Sequence, residues 1–214
     1  MDCVTQCPDT AILGKVLAES DLETKLTGIE DEGDRTMFEA QWSKTRKYYD
    51  GPIKKGKEGG RFAILIDPSK CKGCAECVTV CDDDALKMIP KTEKVMEDIR
   101  KSHRMFKEFG PSDESYINDN LLIDMMLKED SFMYVGGAGS CAGCGEGTAL
   151  RMMCAATGVT YGDRWGIIAA TGCNTVYTST YPFNPYLVPW TNSLFENAPA
   201  DAMGVRSRWD QIGW

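Results

Sequence analysis

Four cysteines within eleven residues, Cys71-x2-Cys74-x2-Cys77-x3-Cys81, constrain this chain more than any other feature of its sequence. Thiolates spaced this closely can converge on one inorganic core, and soft thiolates select zinc or iron–sulfur. Structural zinc usually pairs two separated C-x2-C knuckles. A continuous run of four has instead the bacterial [4Fe–4S] spacing, in which three cysteines hold one cluster and the fourth reaches across to another. One departure is Asp82, where the run normally continues with proline.

The crossed ligation of that motif calls for a second run, and part of one is present. Cys3-Val-Thr-Gln-Cys7-Pro-Asp-Thr-Ala-Ile12 lies over Cys77-Val-Thr-Val-Cys81-Asp-Asp-Asp-Ala-Leu86 at a constant offset of 74, with six of ten positions identical. Pro8 keeps the proline that Asp82 replaces. The rule assigns Cys7, Cys71, Cys74 and Cys77 to one cluster, and Cys3 with Cys81 to another. The second set is two ligands short. Applying the offset to Cys71 and Cys74 puts their counterparts immediately before Met1, so residues upstream are expected to complete it. The alternative is that Met1 is a true start and that cluster has been lost.

The ten cysteines also admit disulfides, a reading that suits small secreted chains. The N-terminus has neither the basic flank nor the apolar run of an export signal, so a reducing cytoplasm is expected. No run of eighteen apolar residues suggests a membrane span. A net charge of −8 over 214 residues, with no concentrated basic face, argues against nucleic acid as a partner.

The residues between the two copies read as a long insertion, at about 14–60. Its part from Glu19 to Asp34 is acidic and expected to be solvated, Met37 to Tyr49 suggests a short helix, and Gly51 to Gly60 a loop. Arg61 to Ile66 reads as a strand entering the second copy and Ala85 to Ile89 as the strand leaving it. Lys91 to Phe109 has the pattern of a charged helix ending at Gly110-Pro111, with His103 on its solvated side. Asn120 to Lys128 suggests another helix. These elements divide the chain into a ferredoxin-like two-cluster α+β domain over 1–110, a connector over 111–131 and a further domain over 132–214.

In that last part, Ser140-Cys-Ala-Gly-Cys-Gly-Glu146 is a Gly-rich loop opening a helix from Thr148 to Ala156. Gly166 to Ala170 reads as a short strand, followed by a turn carrying Cys173. Helix, strand and polar loop form the α/β pattern, in which ligands sit beyond the carboxyl ends of strands. Cys141, Cys144 and Cys173 give three thiolates, an incomplete set whose fourth member would come from beyond Trp214 or another chain. A lone C-x2-C also fits a redox dithiol or a zinc knuckle. Cys154, among Leu150, Met152 and Met153, reads as a buried small hydrophobe. On the residues alone Glu146 reads simply as a carboxylate at a helix start, and Trp190, Trp209 and Trp214 read as core.

Taken in order, Ser140-Cys-Ala-Gly-Cys-Gly-Glu146, Ala170-Thr-Gly-Cys173 and Trp190-Thr-Asn-Ser-Leu-Phe-Glu196 resemble the pyruvate:ferredoxin (flavodoxin) oxidoreductase family in its single-chain form. The preceding cysteine runs with their long insertion are similar to the same enzymes. The resemblance implies that residues 132–214 begin an α/β thiamine diphosphate-binding domain. It implies oxidative decarboxylation of a 2-oxoacid onto coenzyme A, with electrons passing through up to three [4Fe–4S] clusters to ferredoxin or flavodoxin. It further implies a cytoplasmic homodimer, a cluster at Cys141, Cys144 and Cys173, and a thiamine diphosphate site with Mg²⁺ lined by Glu146 and Cys173. The Gly-Asp-Gly…Asn stretch that holds the metal in the family is absent from these 214 residues, so this chain by itself is expected to be inactive. Thr178 to Pro189, with Tyr181, Phe183 and Tyr186, departs from the pyruvate enzyme's pattern and leaves the 2-oxoacid open. The competing readings are a non-catalytic ferredoxin-like electron-transfer subunit and a zinc-stabilised interaction protein.

Overall fold

The computed structural model describes residues 1–136, 139–178 and 182–214. Tyr181 therefore lies outside the described residues. The chain order is α1 (Asp2–Gln6), β1 (Ile12–Ala18), α2 (Glu19–Thr27), α3 (Glu32–Glu39), β2 (Trp42–Lys44), α4 (Gly51–Ile53), β3 (Gly60–Ile66), α5 (Glu76–Thr79) and α6 (Glu93–Glu108), then α7 (Leu122–Met125), α8 (Gly145–Tyr161), β4 (Ile167–Ala170), α9 (Cys173–Thr178), β5 (Trp190–Ser193) and α10 (Ala198–Ile212). The architecture is mixed α and β with two small sheets. Among the described residues no helix is long and apolar enough to cross a membrane.

The sequence repeat is also a backbone repeat. α1 and α5 stand 74 residues apart and pack on each other. Each is followed by a turn whose seventh residue after the first helical cysteine is left-handed: Thr10 at φ 55° and Asp84 at φ 50°. That conformation is uncommon for residues other than glycine. In both copies the next residue's amide turns back onto a thiol, Ala11 N donating to Cys7 Sγ and Ala85 N to Cys81 Sγ, each at 3.3 Å.

β1, β3 and β2 form an antiparallel sheet in that spatial order, with Ile12 opposite Ile66, Ala18 opposite Gly60 and Trp42 opposite Ala63. The insertion expected from residue 14 thus begins inside a strand. Its acidic part is not a solvated excursion but two helices, α2 and α3. The acids face outward, while Leu22, Leu26 and Phe38 enter a core with Trp42, Leu65 and the α6 residues Met105, Phe106 and Phe109. The helix expected over Met37 to Tyr49 is also corrected. α3 stops at Glu39, Trp42 joins the sheet, and Arg46–Asp50 forms one wide π-helical turn capped by Thr45.

α6 begins at the Thr92 cap and stops where Gly110 turns left-handed at φ 77°. His103 is half-buried rather than solvated, its Nε2 lying 3.7 Å from Asp67 Oδ2. Burial lowers the His103 pKa against the pull of Asp67. Ala85 to Ile89 forms no strand, and Met88 and Ile89 are 54% and 56% exposed. α7 is a single turn whose Asp124 is fully buried. Its carboxylate accepts from Tyr48 Oη at 2.7 Å and Asn118 N at 3.0 Å, and it pairs with Lys47.

In the C-terminal part β4 and β5 pair in parallel, Ile167 opposite Trp190, with α9 between them in sequence. Beneath them Tyr134, Cys154, Tyr177, Tyr186 and Val188 form a core. Trp190 is half-buried and stacks on Tyr186, whereas Trp214 is exposed and meets Trp209 edge-on.

Candidate metal centres

Cys7, Cys71, Cys74 and Cys77 line one cavity of about 40 Å³, larger than one water requires (roughly 10–15 Å³). Cys71 and Cys74 come from the loop after β3, which bends at Gly73 (φ 71°) and Ala75 (φ 66°), and Cys77 from the start of α5. The loop is anchored at its start by Asp67, whose carbonyl accepts Cys71 N at 3.1 Å, and by Lys91 Nζ on the Cys71 carbonyl at 2.9 Å. Cys7 arrives from the other copy of the repeat, at the end of α1. Burial pushes the Cys77 thiol up, and the charges of Cys7, Cys74, Cys71 and Cys3 push it further. Thiolates grouped in this way require a cationic core to hold their charge. Among the described residues no three metal-binding side chains close on a single ion. A four-iron core is wider than one ion, and each of its irons takes its own thiolate, so cysteines standing around a cavity suit it.

Cys3 and Cys81 line a second, larger cavity of about 680 Å³, bordered by Tyr48, Phe62, Ile64 and Asp83. Burial raises the Cys3 pKa. The N-terminal ammonium opposes that rise, and the neighbouring Cys81 adds to it.

Cys141 and Cys144 bracket the turn that opens α8. Cys144 N donates to the Cys141 carbonyl at 3.2 Å, and Cys144 Sγ caps the helix by accepting Gly147 N at 3.4 Å. Cys141 is exposed and Cys144 half-buried; Cys173, also exposed, begins α9 just past the carboxyl end of β4. Glu146 is exposed in the first turn of α8. Tyr177, one turn beyond Cys173, has a buried hydroxyl with no hydrogen-bond partner among the described residues. Burial raises its pKa, and the nearby charges of Glu146 and Cys144 add to the rise. Cys154 is 0% exposed, and burial alone pushes its thiol up to about 12, which suits a packed thiol and not a ligand.

The three cysteine groups are tied together by residues that sequence reasoning passed over. α8 docks on α1, with Thr148 Oγ1 donating to Gln6 O at 3.0 Å and Arg151 donating to the carbonyls of Val4 and Cys7. Lys72, inside the Cys71–Cys74 loop, pairs with Asp9 at 3.0 Å and donates to Ser140 O at 2.8 Å. Ser140 Oγ in turn donates to Asp9 at 3.2 Å. A Cβ on Gly143 (φ 73°) would stand 2.8 Å from Glu76 Oε1, so the Cys141–Cys144 turn rests against α5. The available signal was Arg151 itself, a lone charge in the apolar run Ala149-Leu-Arg-Met-Met-Cys-Ala-Ala156.

Residues 64–87, which include Cys71, Cys74, Cys77 and Cys81, match the 4Fe-4S binding domain family. The chain is 28% identical over 98% of its length to the pyruvate-flavodoxin oxidoreductase of Nostoc sp., spanning 16% of that protein. It is 30% identical over 73% of its length to the pyruvate:ferredoxin oxidoreductase of Moorella thermoacetica, spanning 14% of it. It is 36% identical over 36% of its length to pyruvate synthase subunit PorB of Pyrococcus furiosus. With 214 residues this chain therefore spans about one sixth of the larger relatives. The cysteine geometry and these matches agree: the chain belongs to the pyruvate:ferredoxin (flavodoxin) oxidoreductase family, as a segment that carries a 4Fe-4S binding domain.

Proposed function

We propose that this chain is the electron-carrying part of a 2-oxoacid:ferredoxin or 2-oxoacid:flavodoxin oxidoreductase. The observation that carries the reading is the meeting of Cys7 with Cys71, Cys74 and Cys77 around one cavity, although Cys7 belongs to the other copy of the repeat. These four hold one [4Fe–4S] cluster. Cys3 and Cys81 contribute two thiolates to a second, and Cys141, Cys144 and Cys173 three to another. In this reading residues 1–110 are a two-cluster ferredoxin-type domain, 111–131 a connector, and 132–214 the start of a thiamine diphosphate-binding domain. Glu146 and Cys173 face that cofactor and its Mg²⁺. The whole cytoplasmic enzyme, a homodimer, then transfers the acyl group of a 2-oxoacid to coenzyme A and passes electrons to ferredoxin or flavodoxin.

A bound [4Fe–4S] cluster takes up and passes on one electron at a time, and the residues here govern how readily it does so. Ala11 N–H donates to Cys7 Sγ, which stabilises charge on that sulfur. Burial of Cys3 and Cys7 keeps water from two of the thiolates. The Lys72–Asp9–Ser140 contacts hold the Cys71 loop against the segment preceding Cys141, so that the cysteine groups keep fixed separations.

Anaerobic reconstitution with iron and sulfide tests this. Counting should give about four irons per chain at the Cys7 site, with no 2-oxoacid-dependent dye reduction by this chain alone in the presence of thiamine diphosphate, Mg²⁺ and coenzyme A. Zinc in place of iron would refute the cluster reading. Turnover by these 214 residues alone would refute the division of labour.

A further inference from the structure

Arg151 is the bulkiest of the fully buried side chains, 2% exposed, and its guanidinium donates to the carbonyls of Val4 and Cys7, the latter at 3.3 Å. Among the described residues no carboxylate pairs with it. Leaving a buried cation without an anion is costly, and two carbonyl oxygens offset only part of that cost. Cys7, whose carbonyl the guanidinium reaches, also lines the cavity shared with Cys71, Cys74 and Cys77, where negative charge would gather. A [4Fe–4S] core with four thiolates is a dianion when oxidised and a trianion when reduced.

Resting on the cluster reading above, we propose that Arg151 is the resident counter-cation of the cluster at Cys7, Cys71, Cys74 and Cys77, and that its fixed positive charge raises that cluster's reduction potential. The redox step is the one-electron reduction of the cluster by a low-potential donor. The added electron stays on the cluster, and the nearby cation stabilises the more negative, reduced form. Arg151 reaches the site from α8, the helix that follows Cys141 and Cys144, so one side chain links the C-terminal cysteine turn to the potential of the neighbouring centre. Other cations nearby act more weakly. Lys91, on the Cys71 carbonyl, is exposed and screened by solvent, and Lys72 is already paired with Asp9. A guanidinium keeps its proton at neutral pH, so the Arg151 side chain carries its charge here.

The test compares the full chain with R151K, which keeps the charge, and R151Q, which keeps a hydrogen-bond donor without it. Each is reconstituted anaerobically and titrated with dithionite while the reduced cluster is followed by electron paramagnetic resonance. The potential of R151Q should shift negative, and that of R151K should stay close to wild type. Equal potentials for R151Q and wild type, or equal shifts in both variants, would overturn the proposal. If R151Q alone fails to hold iron, the need for a positive charge is supported; if R151K fails, alone or together with R151Q, Arg151 is only a structural pin and the proposal falls. Failure of the cluster reading itself looks different: wild type would lack the four-iron signal, or C7S would keep its full iron.

Discussion

Cys7 and Cys154 are both buried thiols, yet the structure separates them sharply, and replacing each with alanine tests the separation. Cys154 is fully buried among Tyr134, Tyr177 and Tyr186. C154A removes one buried sulfur, close in size to a methyl group, so it should cost about 1–2 kcal/mol. For a chain of this length that corresponds to a drop of about 3–6 °C in melting temperature. Its iron content after reconstitution should be unchanged, because a thiol pushed up to about 12 and enclosed by aromatic rings does not face the cavities. C7A also removes a buried sulfur, together with one weak amide–sulfur bond from Ala11, so its apoprotein should lose about 1–2 kcal/mol as well. Its distinct effect should fall on metal, with the count dropping well below the roughly four irons that a complete thiolate set holds. Differential scanning calorimetry of the apoproteins and iron and sulfide assays on the reconstituted ones read the two axes separately. A C7A protein with its full iron, or a C154A protein that loses iron, would show that the crossed ligand set is wrong.

Three further outcomes follow from groups outside the cysteines. D124A strands the Tyr48 hydroxyl and the Asn118 amide and should destabilise by about 2–4 kcal/mol in urea unfolding, with D124N recovering part; a loss below about 1 kcal/mol would contradict the network. G136A forces a side chain at φ 97°, with its Cβ 2.4 Å from the Asp9 carbonyl oxygen, and should cost at least about 2 kcal/mol; a neutral result would mean that Gly136 does not pack against the Asp9 backbone. Burial lowers the Lys15 pKa to about 8, below its unfolded value, so between pH 8 and 10 the unfolded chain binds more protons and stability rises with pH. Wild type should therefore gain on K15M by on the order of 2 kcal/mol from pH 7 to pH 10, and a flat difference would refute the shift.

The cysteine run, the repeat, β3, α6, α8 and β4 were all legible because each has a local signature: a fixed spacing, an apolar run or a capped helical period. The repeat reached further than residue identity, since the left-handed turns at Thr10 and Asp84 keep the same offset. β1 was hidden because six of its seven residues are buried, Lys15 included, so the in–out alternation that marks a half-buried strand is missing. Ala85 to Ile89 is mostly apolar but holds one β-branched residue, Ile89, and strands also need partners, whereas β3 already has β1 and β2 on its two sides. The acidic stretch misled because its charges dominate the composition, while Leu22, Leu26 and Phe38 alone decide where it packs. In the site, ligand types could be read from spacing, whereas the contacts between groups could not. Lys72 with Asp9, and Arg151 with Cys7, are separated in sequence by 63 and 144 residues, and only folding brings them together.

The pairing of Ala18 with Gly60 bears on how the length of this region can vary. β1 ends at Ala18 and β3 begins at Gly60, its direct neighbour, so the ends of the intervening stretch are fixed whatever lies between them. Closing a longer loop between fixed ends adds little entropic cost, about 0.6 kcal/mol for each doubling. The stretch nevertheless supplies β2 and much of the core beneath the sheet, so its helices and strand resist change. Tolerance should concentrate at two exposed bends, around Glu30–Asp31 between α2 and α3 and around Lys54–Glu58 after α4. Residues added there would lengthen the chain on its outer surface and leave the cysteine loops, anchored at the opposite end of β3, in place.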